Sequence, residues 1–384
     1  MKVAIIKSNY TPYGGAEKYT HALIKAFLKA GHEVHLITSR NSRWKEALKE
    51  KGEYLFGDNF KLRPVWQFRY NNLLKLVSFN NSVMSYLKKE KYDSILGMDN
   101  TEFQTHIRLG GGLHRAWLER RSKYVSAFKR WTFKLNPFHR KVAEIQEKAL
   151  LSPALKRIIC NSHLVKGELE HYYPQVAHKA IVIHNGVEWQ EFGDAFEEGL
   201  LRKAQILKEL GLPTGRFYFL FAGSGYERKG LHYAIRALKK LPEEICLIVV
   251  GKDRNEKKYR TLTERLFLGK RVFFMGPRKD MLRFYQVSDA FVLPTFYDPF
   301  SNATLEALAM GLFVVTSSAN GAHEVIKRGA GSIIEDLSDI DSIREAMEKA
   351  LKPELSKREI RESVKELEFE SQLKRIVEVC TTLS

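Results

Sequence analysis

The apolar positions of this chain alternate between two rhythms. Short strand-like segments lie near residues 2–8, 34–38, 92–98, 105–109, 158–160 and 180–183, and the first, with its apolar run Val3–Ile6, has the pattern of a strand covered on both faces. Between the first two segments, Tyr19, Leu23, Ala26, Phe27 and Ala30 keep a helical period that Gly31 closes. Strand, glycine loop, helix and strand make a βαβ unit. A succession of such units predicts a parallel sheet covered by helices. The rhythm starts again at residues 216–222 and continues through 245–250, 272–275, 290–294 and 313–316. A turn at His184, Asn185, Gly186 and Val187 separates the two series. The expectation is therefore α/β, with two doubly wound, Rossmann-like domains at residues 1–188 and 189–384. A length of 384 residues suits two domains of ordinary size. Residues 340–384 read as helical and charged.

Residues 293–316 hold the densest candidate chemistry. Asp298-Pro299-Phe300-Ser301-Asn302 precede a short helix in which Leu305, Leu308 and Ala309 share a face and Gly311 marks the stop. Ser301 or Asn302 suits the N-cap. The first N–H groups, between Phe300 and Ala303, are then free to bind an anion, a phosphate above all. Glu306 lies about one turn inside, within reach of a sugar hydroxyl beside such a phosphate, and Asp298 precedes it by eight residues. A second reading is that both acids serve only the positive end of the helix.

Two glycine loops follow strands. Gly14-Gly15 lets backbone approach a ligand closely, although a tight turn needs no ligand to explain it. Gly223-Ser224-Gly225-Tyr226-Glu227-Arg228-Lys229-Gly230 begins as a dinucleotide fingerprint would. Arg228, however, stands where that fingerprint needs a small glycine for helix–strand packing. Neither loop has the G-x-G-x-x-G spacing, which argues against a nicotinamide dehydrogenase. An Arg-Lys pair at a glycine-rich helix start suits a diphosphate instead, unless the pair is only solvated surface charge.

An acidic residue, seven residues and then Glu on a helix closed by Gly and a strand resembles the E-x7-E signature of the retaining GT-B glycosyltransferases, glycosyltransferase family 4 in particular. The first acid is Asp298 rather than Glu, one methylene shorter. Gly225-x-x-Arg228-Lys229-Gly230 after a strand also resembles that family's diphosphate clamp. The resemblance spans essentially the whole chain and is strongest in residues 217–232 and 293–324. It implies a GT-B fold, two domains facing a cleft, with the last helix, about 366–384, returning to the first domain. It implies a nucleotide-sugar donor held by the second domain. Glu306 would meet the ribose, Asp298 would lie near the donor sugar, and Arg228 and Lys229 would grip the diphosphate. Gly225, Phe300, Ser301 and Asn302 would surround it, backbone at Gly276-Pro277 would meet the nucleobase, and Asn320-Gly321-Ala322 would face the same cleft. Gly14 and Gly15 would face donor phosphates and acceptor. A histidine after a strand of the first domain would approach the donor sugar: His114, with His106 as the alternative. The implied catalytic set is His114, Asp298, Arg228 and Lys229. The family retains anomeric configuration by same-face attack assisted by the leaving phosphate, and no residue here stands out as a covalent nucleophile.

Residues 113–141 carry nine Lys and Arg against one acid, Glu119. Read as one helix, they align Trp117, Tyr124, Phe128, Trp131 and Leu135 on a stripe, with Lys123, Arg130 and Lys134 mostly off it and Arg121 at its edge. Such a helix can lie in an anionic membrane surface, Arg120 among its contacts. It can equally pack its aromatic face into a core. Single-stranded nucleic acid is a third partner for basic and aromatic residues, but no nucleic-acid-binding signature accompanies the segment.

Charge supports an anionic partner: the net charge is +18. Cys160, Cys246 and Cys380 sit in separate apolar segments without metal-ligand spacing and read as reduced core residues. The first apolar run is too short for a signal peptide, and no stretch approaches a membrane-spanning helix. No D-x-D motif ends a strand, so neither metal nor cofactor is expected. The DPFSN stretch, the Gly110–Arg115 stretch and the basic aromatic segment together look like the lipopolysaccharide core glucosyltransferases. The expected activity is retaining, metal-independent transfer of a hexose, glucose from UDP-glucose, to a glycolipid acceptor such as the lipopolysaccharide inner core. The expected location is the inner face of the cytoplasmic membrane, peripherally, without a nucleic-acid partner. Transfer of mannose, galactose or N-acetylglucosamine to another lipid-linked glycan is the alternative within the class. A non-catalytic membrane or nucleic-acid binder is the alternative outside it.

Overall fold

A computed structural model of the chain describes residues 1–10, 15–44, 46 and 57–382. Gly14 and the side chains of Phe128 and Lys134 lie outside that description. Contacts divide the chain into two units. One comprises Met1–His184 together with Glu370–Ser384, and the other Asn185–Phe369. The division falls four residues before the expected boundary at 188.

The first unit holds β1 (Lys2–Ile6), β2 (Glu33–Ser39), β3 (Phe60–Val65), β4 (Ser94–Gly97), β5 (His106–Leu109), β6 (Arg157–Cys160) and β7 (Ala180–Val182). Their order across the sheet is β3-β2-β1-β4-β5-β6-β7, and every pairing is parallel. The second unit holds β8 (Phe217–Ala222), β9 (Ile245–Val250), β10 (Val272–Gly276), β11 (Ala290–Leu293), β12 (Phe313–Ser317) and β13 (Gly331–Ile334). Their order is β10-β9-β8-β11-β12-β13, again all parallel. Both sheets are doubly wound. In each, the order reverses beside the first strand, which places a crevice at the carboxyl ends of β1 and β4 and of β8 and β11.

Deep burial goes with an unbroken apolar run. All six residues of β9 are buried, as are all four of β11. Among the edge strands, β7 and β10 are little buried but keep apolar residues and are anticipated, whereas β3 and β13 have one buried residue each and a run broken by polar or small residues, and neither is anticipated. Pro64 lies within β3, which an edge strand accepts because one side of its ladder is open.

The single helix expected over residues 113–141 is instead three: His114–Ser122, Ala127–Leu135 and Pro137–Leu150. Local chemistry ends each piece. The Ser122 hydroxyl donates back to the Glu119 carbonyl at 2.6 Å, and the Lys123 N–H bonds to Arg120 in the closing turn. Asn136 accepts from the Phe138 N–H and Pro137 takes the first helical position, a strong start signal. The five-residue aromatic stripe therefore does not exist as one face.

Candidate active site

The carboxyl end of β8 runs into the 223–230 loop, and the carboxyl end of β11 runs into residues 294–301. The two segments are tied together. Phe296 N–H and Thr295 Oγ1 both donate to the Arg228 carbonyl, at 3.1 and 2.7 Å. Gly230 has φ +77, and a Cβ there would stand 1.8 Å from the Pro294 carbonyl oxygen. Only glycine fits that crossing. A third segment joins through a short bridge: Asp298 N–H donates to the Ala319 carbonyl and Gly321 N–H to the Asp298 carbonyl, at 2.9 and 2.8 Å. Fully buried Asn320 braces it, donating to Thr304 and Thr316 and accepting from the Ser301 and Ala322 N–H groups.

At the centre lies a three-charge cluster. The Lys229 ammonium and an Arg228 guanidinium nitrogen both donate to Oδ2 of Asp298, the latter at 3.1 Å. The same Arg228 nitrogen also donates to the Tyr297 carbonyl at 2.9 Å. Asp298 and Lys229 are buried; Arg228 is about one-third exposed. Burial works against the Asp298 carboxylate, but Lys229 and Arg228 outweigh it and hold its pKa below the ordinary value. Burial pulls the Lys229 ammonium down against the attraction of Asp298. Two cations and one carboxylate leave the cluster one positive charge in excess. Arg228 engages these partners through one nitrogen and offers further N–H donors.

The helix Asn302–Ala309 starts beside this cluster. Ser301 is its N-cap by backbone geometry, yet its hydroxyl makes no capping bond and is buried without a partner. Asn302 is held by Asn185 Nδ2 at 2.6 Å. Glu306 accepts a hydrogen bond from the buried Tyr285 hydroxyl at 2.7 Å, which fixes one carboxylate oxygen. Phe300, just before the helix start, is buried. Gly225, at φ +78, has open space where a Cβ would go, and it opens the short helix Tyr226–Lys229. Gly276 ends β10, its carbonyl bound to the Gly251 N–H at 3.0 Å, and Pro277 follows. Arg228, Lys229, Asp298 and the helix start at Ser301 thus come together, and the structure gives Asp298 a partner set, both cations, that the sequence did not suggest. Tyr285 was missed altogether, since a tyrosine in a short apolar helix carries no signal of what it faces.

In the first unit, His114 lines a cavity of about 410 Å³ at the carboxyl ends of β4 and β5, with Asp99, Arg108 and His139. His114 Nε2 lies 3.1 Å from His139 Nδ1, and its ring stacks on Trp117 at 5.6 Å. Burial and then the His139 charge push the His114 pKa down to about 4, so it is neutral near pH 7. His106 faces away from such a role: it is 3% exposed and hydrogen-bonded to the Ser94 and Thr105 hydroxyls. Gly15 opens the helix Gly15–Lys29. At the end of β1, Ser8 N–H donates to Asp99, which Lys7 also holds at 2.8 Å. His139 and Asp99 were both missed, although Asn136-Pro137 marks the helix start that places His139.

The basic aromatic residues divide. Trp117 is turned inward and covered by the Arg121 guanidinium at 5.0 Å, and Arg120 pairs with Glu168 at 3.0 Å. Trp131 and Tyr124 are 58% and 41% exposed, and Lys123 and Arg130 are exposed beside them.

Two doubly wound parallel sheets, with an anion-ready helix start at the switch point of the second, define the GT-B class of nucleotide-sugar-dependent glycosyltransferases. Residues 202–367 match the family model for glycosyl transferases group 1, and residues 13–191 match that for glycosyltransferase family 4, so the chain belongs to these glycosyltransferases. It is 22% identical to the Escherichia coli lipopolysaccharide glucosyltransferase WaaG over 91% of this chain and 90% of that protein. It is 27% identical to an uncharacterised glycosyltransferase of Methanocaldococcus jannaschii over 91% and 89%. An Escherichia coli UDP-Gal:alpha-D-GlcNAc-diphosphoundecaprenol alpha-1,3-galactosyltransferase is 32% identical, over 44% of each chain. The crystal structure of WaaG superposes with a TM-score of 0.79 at 19% identity, covering 99% of this chain and 100% of that one.

Proposed function

We propose that the protein transfers a hexose, glucose from UDP-glucose, to a membrane-associated glycolipid such as the lipopolysaccharide inner core. The observation that carries this reading is the Arg228–Lys229–Asp298 cluster beside a helix start with an unpartnered buried hydroxyl at Ser301. Its excess positive charge and free N–H donors suit a diphosphate, and developing charge on that leaving group is what the transition state must stabilise. Asp298 keeps both cations pointed at one place before any ligand arrives. Glu306, oriented by Tyr285, is available to a ribose diol. These groups supply the electrostatic task without a metal, and transfer is taken to retain the anomeric configuration. His114, neutral near pH 7, can donate or accept a hydrogen bond with a sugar hydroxyl but brings no charge. Relatedness to WaaG favours glucose and a lipopolysaccharide acceptor. The galactosyltransferase relative favours galactose and a lipid-linked acceptor as the second reading. Exposed Trp131 and Tyr124 amid Lys123 and Arg130 support a peripheral seat on an anionic membrane at the cytoplasmic face.

A thermal-shift panel of UDP, GDP, ADP, UDP-glucose, UDP-galactose, GDP-mannose and NADH, run on wild type and Glu306→Ala, tests the reading. Stabilisation by UDP and UDP-glucose that Glu306→Ala abolishes is the expected result. Stabilisation by no nucleoside diphosphate would overturn it.

A further inference from the structure

Beyond the carboxyl ends of β2 and β3 the first unit carries two cavities that no step of the proposed reaction uses. They measure about 500 and 640 Å³ and adjoin at Phe68, which lines both, a groove of two basins. Each is within the roughly 300–1,000 Å³ typical of ligand sites. One wall is the helix Asn72–Leu87, which presents Ser78, Asn81, Ser82 and Ser85 to the basin of about 500 Å³. The other wall is the segment 66–70, which carries Trp66, Phe68 and Tyr70.

That segment is held in place. Phe68 N–H donates to Ser78 Oγ at 2.9 Å, Gln67 Nε2 to the Lys75 carbonyl at 3.3 Å, and Asn41 Nδ2 to the Gln67 carbonyl. Phe68 and Tyr70 meet edge to face at 6.3 Å. The anchoring nonetheless leaves Trp66 58% and Tyr70 87% exposed. Large aromatic faces fastened in water, rather than folded under, are a recognition surface. The charge along the groove has one sign. Arg40 and Lys89 line the first cavity and Arg69 and Lys75 the second, and none of the described lining residues is acidic. Among the described residues, none of these four cations is in an ion pair. Arg69 Nε donates to Asn41 Oδ1 at 3.2 Å, which ties its guanidinium to another residue lining the same cavity.

A sugar ring has an apolar C–H face and a rim of hydroxyls. Exposed aromatic faces opposite a row of short hydroxyl and amide side chains match both. The four cations require that the sugar also carry an anionic group. We propose that this groove binds an anionic saccharide chain, with sugar rings on Trp66 and Tyr70 and a phosphate substituent at Arg69 and Lys75. Its role, holding the part of a glycan acceptor remote from the reacting sugar, rests on the glycosyltransferase reading above; the binding itself does not.

The probe is a deacylated, phosphorylated core oligosaccharide from lipopolysaccharide, compared with the same material after phosphatase treatment. Binding is measured by calorimetry without nucleotide, on wild type, Trp66→Ala, Tyr70→Ala and Arg69→Ala/Lys75→Ala. These side chains lie at the surface, and an unchanged melting temperature verifies that each variant folds. Each aromatic variant should weaken binding of the phosphorylated probe by about tenfold. The double basic variant should weaken the phosphorylated probe alone, and the UDP thermal shift should persist in all three. Unchanged affinity in both aromatic variants overturns the proposal. So does equal binding of a short oligothymidylate that depends on the same aromatics, or loss of anionic-vesicle binding with oligosaccharide binding intact. If no nucleotide shifts the melt while the groove still binds the probe, the donor reading falls and the groove stands.

Discussion

Replacing Asp298 with Asn separates what the carboxylate does for the fold from what it does for a donor. Asp298 is 7% and Lys229 8% exposed, so the substitution strands a buried ammonium beside a neutral amide. Breaking a buried pair by removing one partner costs about 3–5 kcal/mol. An independent bound agrees. Lys229 can escape by losing its proton, and at pH 7 that costs about 1.36 kcal/mol for each unit below roughly 10.4, or about 4.6 kcal/mol. For a unit of this size, 3–5 kcal/mol is a fall in melting temperature of about 6–20 °C. The escape route also fixes the sign of the pH dependence. In Asp298→Asn the folded lysine has a depressed pKa, so the unfolded chain binds more protons and stability rises with pH up to the unfolded lysine value. The penalty should shrink to about 2 kcal/mol at pH 9. In wild type the Asp298 pKa is lowered on folding, so its contribution is present above the ordinary carboxylate range and is lost as pH falls through the lower folded value. Differential scanning calorimetry from pH 3 to 9 reads both effects. UDP should stabilise the variant more than wild type, because its phosphates replace the missing anion. A variant that melts within about 1 °C of wild type at pH 7, with no narrowing at pH 9, would refute the cluster as a buried charge centre.

Gly230→Ala must place a Cβ 1.8 Å from the Pro294 carbonyl at φ +77, so it should cost more than about 2 kcal/mol by denaturant titration and impair UDP binding. Gly225→Ala, at φ +78 but facing open space, should cost only the backbone strain of about 1–2 kcal/mol; equal costs would undo the crossing argument. Trp131→Ser/Leu135→Ser removes side chains 58% and 56% exposed, so stability should change by under about 0.5 kcal/mol per site while co-sedimentation with anionic vesicles is lost. Retained sedimentation would remove the membrane reading. Glycosyl transfer should proceed at an unchanged rate in EDTA, and an absolute Mg²⁺ requirement would contradict an electrostatic site built from Arg228 and Lys229.

Strands that lie deep in the sheets declare themselves, because burial on both faces forces an unbroken apolar run such as Ile245–Val250. Strands at an edge do so only where their own residues stay apolar, as in Ala180–Val182 and Val272–Gly276. Phe60–Val65 and Gly331–Ile334 keep polar and intermediate positions that read as loop. The candidate site was legible where one short segment carries the chemistry, as in Arg228-Lys229 and the Ser301 helix start. It was illegible where the chemistry depends on what folding brings together. Asp298 receives its two cations from about seventy residues away, and Tyr285 meets Glu306 across a separate helix. Residues 113–141 failed for a different reason. A helical wheel assumes an unbroken helix, and the signals at Ser122 and Asn136 that interrupt it lie in the sequence but were outweighed by the aromatic spacing.

The second unit is one contiguous piece, residues 185–369, whereas the first is completed only by residues 370–384. Near its two ends the second unit closes on itself: Val187 N–H bonds to the Leu367 carbonyl and Phe369 N–H to the Val187 carbonyl, both at 2.9 Å. Order of synthesis and order of completion are therefore opposite. A nascent chain exposes the whole second unit while the first still lacks Leu373, Ile376, Val377 and Cys380, all buried in the helix Phe369–Thr381. Domains fold as units once their residues are out. The half made first is thus the half finished last, and a fragment stopping at residue 184 carries an apolar surface that only the far end of the chain can cover.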